Sequence, residues 1–145
     1  MSIDDETAAR LLLAVTRLTR WATRHAQFDT PPAQARLLAL IHEIGPARIG
    51  DLAVADHCSQ PTMTTQVQRI EAAGWVSRTS DPNDARVALI DVTDAGRAVI
   101  DEVRLARRQV LAPIVDALTE SELASVREAT LVIERIIARS EEEGS

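Results

Sequence analysis

Residues Cys58 to Gly96 read CSQPTMTTQVQRIEAAGWVSRTSDPNDARVALIDVTDAG, and this stretch decides the fold. Ser59 is a favoured N-cap residue and Gly74 suits the position just past a helix end, so a helix is predicted from Gln60 to Ala73. Met63, Val67 and Ile70 recur at i, i+4 and i+7 and mark its buried face. Another face carries Thr62, Thr65, Gln66 and Arg69, joined by Gln60 near the N-terminus. From Trp75 the period turns strand-like through Val76 and Arg78. Asp81-Pro82-Asn83-Asp84 is dense turn chemistry, and Val87 to Val92 is the returning strand. A short polar-faced helix followed at once by a hairpin is the order of parts in a winged helix-turn-helix.

Working outward, Gly50 to Asp56 reads as a brief helix that packs through Leu52, Ala53 and Ala55, with His57-Cys58-Ser59 as the turn. Upstream, Thr30 is the expected N-cap and Pro31 the first residue of a helix reaching about Ile44. Its inward positions are Leu37, Leu40, Ile41 and Ile44, and Gly45-Pro46 stops it. An amphipathic helix precedes it from about Thr7 to Ala26, with Leu11, Val15, Leu18 and Ala22 in phase and Trp21 broadening the stripe. After the hairpin, Thr93 caps a helix from Asp94 to about Ala117, in which Pro113 predicts a kink or an early end. Thr119-Glu120-Ser121-Glu122 is a capping-box pattern that opens the last helix.

The fold class expected is therefore mainly α (α+β), a single domain over 1–145. It has a DNA-binding lobe at 31–93, a wing at about 76–92, and end helices at 7–28 and 94–140. In the last helix Leu123, Val126, Leu131, Val132, Ile133, Ile136 and Ile137 spread beyond one narrow stripe. A monomer of this size struggles to cover them, and pairing between two chains solves the problem, so the end helices are expected to form a dimerisation lobe.

The polar face of the central helix suits duplex DNA. Gln pairs bidentately with adenine, and a Thr methyl touches the thymine methyl, which assigns Gln60, Thr62, Thr65 and Gln66 to base edges and Arg69 to phosphate. An ordinary solvated face has the same composition; the hairpin that follows tips the balance. Arg86 is placed to probe the minor groove, whose negative potential attracts Arg, and Asp84 to hold its guanidinium. Arg78 and Arg48 are secondary phosphate candidates, equally at home on a solvated surface.

Composition is globular: 46% hydrophobic and 26% charged, with one Phe, two Trp, no Tyr and no Lys. The net charge of −6 opposes DNA binding, but six acids crowd the ends (Asp4, Asp5, Glu6, Glu141, Glu142, Glu143) and leave a neutral body. The shortage of aromatics disfavours single-strand-stacking surfaces. One cysteine precludes an internal disulfide framework, and no stretch approaches the ~20 apolar residues of a membrane span. The opening Met-Ser-Ile-Asp-Asp-Glu has the wrong charge for a secretory signal, so a cytoplasmic location without membrane contact is expected.

Taken together, Pro61-Thr62, Val67, Arg69-Ile70-Glu71, Gly74, Val76, Arg78, Asp84-Ala85-Arg86, Leu89, Val92-Thr93 and Gly96-Arg97 resemble the MarR family of bacterial regulators over nearly the whole chain. The resemblance implies a homodimeric winged-helix transcription factor, usually a repressor. It implies binding to a near-palindromic double-stranded DNA operator and release by a small lipophilic or phenolic effector or by an oxidant. Thr65 stands where many members of that family carry Arg, and His57-Cys58 replaces a Gly-Val type of turn. The family's usual pocket points to Trp21, Arg24, His25 and Phe28, with Arg for an anionic group and rings for packing; packing of the junction alone accounts for them equally well.

Cys58, one residue before the recognition-helix cap, is the redox candidate, against the ordinary role of a small buried hydrophobe. His25, His42, His57 and Cys58 have no close-ligand spacing, so no metal and no cofactor is expected. An enzyme is disfavoured by inventory, for there is no Gly-rich phosphate loop and no nucleophile–base pairing. A winged-helix protein–protein module without specific DNA binding, and a redox-sensing repressor built on Cys58, stay open as alternatives.

Overall fold

The computed structural model describes residues 3–143. Their order is α1 (Ile3–His25), α2 (Pro32–Ile44), β1 (Ala47–Arg48), α3 (Ile49–Ala55), α4 (Gln60–Ala72), β2 (Val76–Asp81), β3 (Asp84–Val92), α5 (Asp94–Asp116) and α6 (Glu120–Glu143). The chain divides after Arg108 into two compact units. Six helices and a small antiparallel sheet among the described residues make the expected mainly α class with a winged helix-turn-helix.

Most of the first unit is the winged lobe. Its core is Leu37, Leu38 and Ile41 of α2, Leu52 of α3, Met63, Val67 and Ile70 of α4, and Ile90 of β3, all essentially withdrawn from solvent. The expected inward face of α4 is the one observed. On α2 the stripe is rotated relative to the sequence reading: Leu38 is buried, Leu40 only half-buried, and Ile44 exposed. Ala55, expected to pack, is also exposed, because α3 ends there and its last turn faces out.

The helix ends follow their caps, with two exceptions. Ser59 Oγ accepts the Thr62 N–H at 3.2 Å and starts α4. At its far end Gly74 adopts φ +80°, the Gly74 N–H donates to Glu71 O (2.9 Å) and the Trp75 N–H to Ile70 O (3.0 Å). That is a Schellman motif, and its left-handed residue is why glycine stands there. Thr119 and Glu122 form the reciprocal capping box that opens α6. α2, however, begins at Pro32 with Pro31 as a cap that lends no side chain, while Thr30 is buried. α1 begins at Ile3, not near Thr7: Asp4, Asp5 and Glu6 form its first turn, where carboxylates favour the positive end of the helix dipole.

The sheet order is β1-β3-β2, antiparallel throughout. The two-residue β1 was not legible in the sequence, since Ala47 and Arg48 carry no alternation and pair only with Ile90 and Leu89. β2 and β3 pair from Val76↔Val92 outward to Ser80↔Ala88, and the register shifts at Ser80/Asp81 where the tip turns. α5 continues past Pro113 to Asp116.

The second unit contains the end of α5 and all of α6. None of the described α6 side chains is fully buried; Leu131 is 60% and Ile136 52% exposed. In the first unit α1 likewise leaves Leu12, Leu13 and Leu18 exposed, although Ala22 is buried. No helix among the described residues is long and apolar enough to cross a membrane.

Candidate nucleic-acid interface

α4 presents Thr62, Thr65 and Arg69 to solvent at i, i+3 and i+7 along one side of the helix, while Gln60, also exposed, opens the helix about half a turn round from them, so spacing does not join it to that side. The hydroxyls of Thr62 and Ser59 lie 2.8 Å apart, and Thr65 Oγ1 donates to Pro61 O at 3.1 Å. With its hydroxyl proton committed to backbone, Thr65 offers an outside partner its methyl and the acceptor side of its hydroxyl. Arg69 makes no ion pair among the described residues. Gln66 differs from its neighbours. It is half-buried, its Oε1 is shielded from solvent without a hydrogen-bond partner, and it lines a small cavity of about 100 Å³ with Pro31, Ala33, Gln34, Leu37 and Arg69. Gln66 sits one turn beyond Met63, at the border of the buried stripe, so its amide straddles the edge of the core.

Gln60 is positioned by a neighbour the sequence reading did not use. A side chain at Gly50 of α3 would place its Cβ 2.9 Å from Gln60 Nε2, so the absence of one leaves room for the glutamine amide over the start of α3.

The wing projects from the sheet with Arg86 near its tip. The Arg86 side chain is 91% exposed, and its Nε donates to Asp84 Oδ1 at 3.1 Å. The Arg86 backbone N–H donates to the same carboxylate oxygen, also at 3.1 Å. Hydrogen bonds from the Arg86 side chain, then from its backbone, hold the Asp84 carboxyl below the usual carboxylate range. Asp84 thus sits where it can orient the guanidinium.

The two secondary arginines are occupied within the lobe. Arg78 Nε donates to both carboxylate oxygens of Glu71, at 2.9 and 2.8 Å, tying β2 to the last turn of α4. Arg48 pairs with Asp81 at 2.5 Å. Asp81 is buried, and its other oxygen accepts the Asn83 N–H at 2.9 Å. The Asn83 N–H and then the Arg48 guanidinium keep the Asp81 carboxyl below its ordinary range. Arg36 of α2 also pairs with Asp56, just after α3.

The root of the wing is locked by residues whose importance spacing alone did not reveal. Thr93 Oγ1 donates to Gly74 O at 2.7 Å and accepts the Gly96 N–H at 3.1 Å, while the Thr93 N–H donates to Trp75 O at 3.0 Å. α5 approaches so closely that a Cβ on Gly96 would lie 2.1 Å from Trp75 O. Both ends of the hairpin are therefore pinned to one helix start.

Trp21, Arg24 and His25 stand on α1 and Phe28 just after it. Trp21 and His25 stack with ring centroids 4.7 Å apart, and His25 Nδ1 lies 2.9 Å from Trp21 O. An open groove on α1 is lined by Ala14, Arg17, Leu18, Arg20, Trp21 and Arg24. It includes Trp21 and Arg24 but not His25 or the half-buried Phe28, and it adds Arg17 and Arg20. Cys58 is half-buried against the lobe core, its N–H donating to Ala53 O at 3.0 Å. Among the described residues no group of His, Cys, Asp and Glu is arranged to hold a metal ion.

Residues 31–88, from the start of α2 through most of the wing, match the model of the MarR family. An uncharacterised HTH-type transcriptional regulator of Mycobacterium bovis is 31% identical over 128 residues, covering 87% of this chain and 89% of its own. The chain belongs to the MarR family of transcriptional regulators. The HTH-type transcriptional repressor MdtR of Bacillus subtilis is 27% identical over 99 residues, 68% of this chain and 64% of its own. A solved transcriptional regulator, Tm0710 of Thermotoga maritima, superposes with a TM-score of 0.74 at 27% identity, covering 93% of this chain and 96% of its own. MarR-family membership agrees with the winged-helix fold, and it places the chain among regulators of transcription, not among enzymes.

Proposed function

We propose that this MarR-family protein is a cytoplasmic homodimeric repressor that binds a near-palindromic operator in double-stranded DNA and is released by a small-molecule effector. The observation that carries the reading is the pairing of two outward-facing features on one lobe. One is the exposed polar side of α4; the other is an exposed arginine at the wing tip, held by Asp84. In this reading Gln60, Thr62 and Thr65 meet base edges in the major groove, Gln66 reaches them by turning its amide outward, and Arg69 meets phosphate. Arg86 enters the minor groove. Arg78 and Arg48 support the surface from within their ion pairs. The exposed leucines and isoleucines of α1 and α6 support the dimer, because a second copy is the simplest partner able to cover them. Repression is supported by the likeness to MdtR, itself a repressor by name. Trp21 with Arg24 is the pair we assign to the effector, a lipophilic or phenolic anion, alongside His25 and Phe28 as flanking rings.

Selection of random duplex DNA by the purified protein at near-physiological salt tests this. Enrichment of a two-fold-symmetric site with half-sites about one helical turn apart supports it. Equal, weak binding to all sequences overturns it in favour of a protein–protein module, a reading that the −6 net charge favours. A salt titration separates the two, because phosphate contact makes log affinity fall steeply with log salt.

A further inference from the structure

Arg48 stands on β1, at one edge of the sheet, whereas Asp81 ends β2 at the other edge, with β3 between them. Their ion pair therefore crosses the whole sheet. β1 covers β3 only at Leu89 and Ile90, so beyond that point the wing is a two-stranded ribbon, the form of sheet whose twist is least constrained. The Arg48–Asp81 pair reaches past the last β1 register position and grips the ribbon where its register shifts. The Asp81 carboxylate faces two ways: one oxygen takes the Arg48 guanidinium, and the other takes the Asn83 N–H inside the tip turn. Arg48 in turn immediately precedes α3, the first helix of the helix-turn-helix. A single buried carboxylate thus links the tip turn to that helix.

We propose that Arg48 and Asp81 are positioning residues that set the pitch of the wing against the helix-turn-helix, so that Arg86 arrives at DNA in register with α4. The pair acts through Arg86 and does not itself touch DNA. The inference rests on the reading of the wing as a DNA contact. It differs from the role that sequence alone suggests for Arg48, a direct grip on phosphate, because one nitrogen of its guanidinium is held by a buried carboxylate.

The test is operator binding by Arg48→Ala and Asp81→Asn, each made in the parent protein and again in Arg86→Ala. Asn at 81 keeps a carbonyl for the Asn83 N–H, so the tip turn survives while the ion pair is lost; thermal melting confirms that the lobe stays folded. Both variants are expected to weaken operator binding about tenfold, as for residues sharing one ion-pair network, and to be no worse in combination. Both are expected to have no further effect once Arg86 is gone. If Arg48→Ala weakens binding in both backgrounds while Asp81→Asn leaves it unchanged or tighter, Arg48 grips phosphate and the positioning role is overturned. If Arg86→Ala alone binds as the parent does, the wing reading fails and takes this one with it. Should Asp81→Asn melt the lobe, Arg48→Gln supplies the same comparison from the half-exposed partner.

Discussion

The winged lobe and the terminal helices draw on the same aliphatic alphabet and put it to opposite use. Leu38, Ile41, Leu52, Met63, Val67, Ile70 and Ile90 are wholly withdrawn from solvent, while Leu12 on α1 is 69% exposed and Leu131 on α6 60%. In the lobe, α2, α3, α4 and the sheet close on one another around that core, and of its large aliphatic side chains Val54 and Ile44 stay exposed. The terminal helices are as amphipathic as any in the chain, yet their apolar sides remain uncovered. Hydrophobic patterning alone therefore says that a face will be buried, not by what. The lobe's core is closed within one chain, and the terminal helices leave apolar side chains that, on the proposed reading, a second copy covers.

The sharpest way to break that contrast is to remove the same side chain from each region. Ile41→Ala is expected to lower the unfolding free energy by about 2–5 kcal/mol, through lost transfer energy and the cavity left among well-packed neighbours. Ile136→Ala, on the exposed side of α6, is expected to leave unfolding at high protein concentration far less changed and instead to shift the concentration dependence of the melting temperature. Denaturant unfolding at two protein concentrations reads both. Equal losses at the two sites, independent of concentration, would show that α6 is covered within the chain.

Next in size is the functional counterpart. Arg86→Ala is expected to weaken operator binding by ~1–3 kcal/mol, the range for a good groove contact, with thermal stability unchanged because the side chain is almost entirely exposed. A core substitution does the reverse, lowering stability first and binding only as the folded population falls. A titration by fluorescence anisotropy against operator and scrambled DNA separates the two, and unchanged affinity removes Arg86 from the interface.

How far the sequence could be read follows the same division. The inward face of α4, the Ser59 cap, the Gly74 stop, the hairpin and the Asp84–Arg86 pair were all legible, because each is a local rule acting over a few residues. β1 was not, since two residues carry no period, and with β1 went the partnership of Arg48 with Asp81, 33 positions away in sequence. Arg78 reads as a secondary phosphate candidate for the same reason: nothing local ties it to Glu71, which faces it across the end of α4. Spacing puts Gln66 on the outward face, yet a residue one turn beyond a core methionine sits at the boundary and here hides its carbonyl. The rotation of the α2 stripe, with Leu38 in and Ile44 out, reflects packing against elements that arrive later in the chain. Long-range pairs, not helix periodicity, are what the sequence conceals.

Of smaller effect is the lock at the wing root. Thr93→Ala removes both the N-cap oxygen for the Gly96 N–H and the donor to Gly74 O, and a cost of about 1 kcal/mol in stability is expected, typical of a lost cap. Thr93→Ser keeps the hydroxyl and is expected to recover most of it. Hydrogen exchange should quicken in the first turn of α5 and at the wing ends together, leaving the α2–α4 core protected. Exchange that quickens in α5 alone would mean that the wing ends are held by their strand pairing and not by Thr93.

The smallest expected effect lies at the wing tip, in the partly exposed Asp84 carboxyl. Its hydrogen bonds from the Arg86 side chain and backbone lower its titration below the ordinary value of 3.8. A carboxyl lowered in the folded state contributes stability that is complete above its unfolded value and is lost as pH falls through the folded one. The wing tip should therefore be insensitive to pH across the neutral range and loosen only in acid, below about the ordinary carboxyl value. A carbon-detected NMR titration of Asp84 is expected to give a midpoint under 3.8 in the parent protein. In Arg86→Ala the midpoint should return only part of the way, since the backbone N–H at 86 still donates. An unshifted midpoint in the parent would mean that the guanidinium spends its time in water, and Arg86 would then have to find the groove without the help of Asp84.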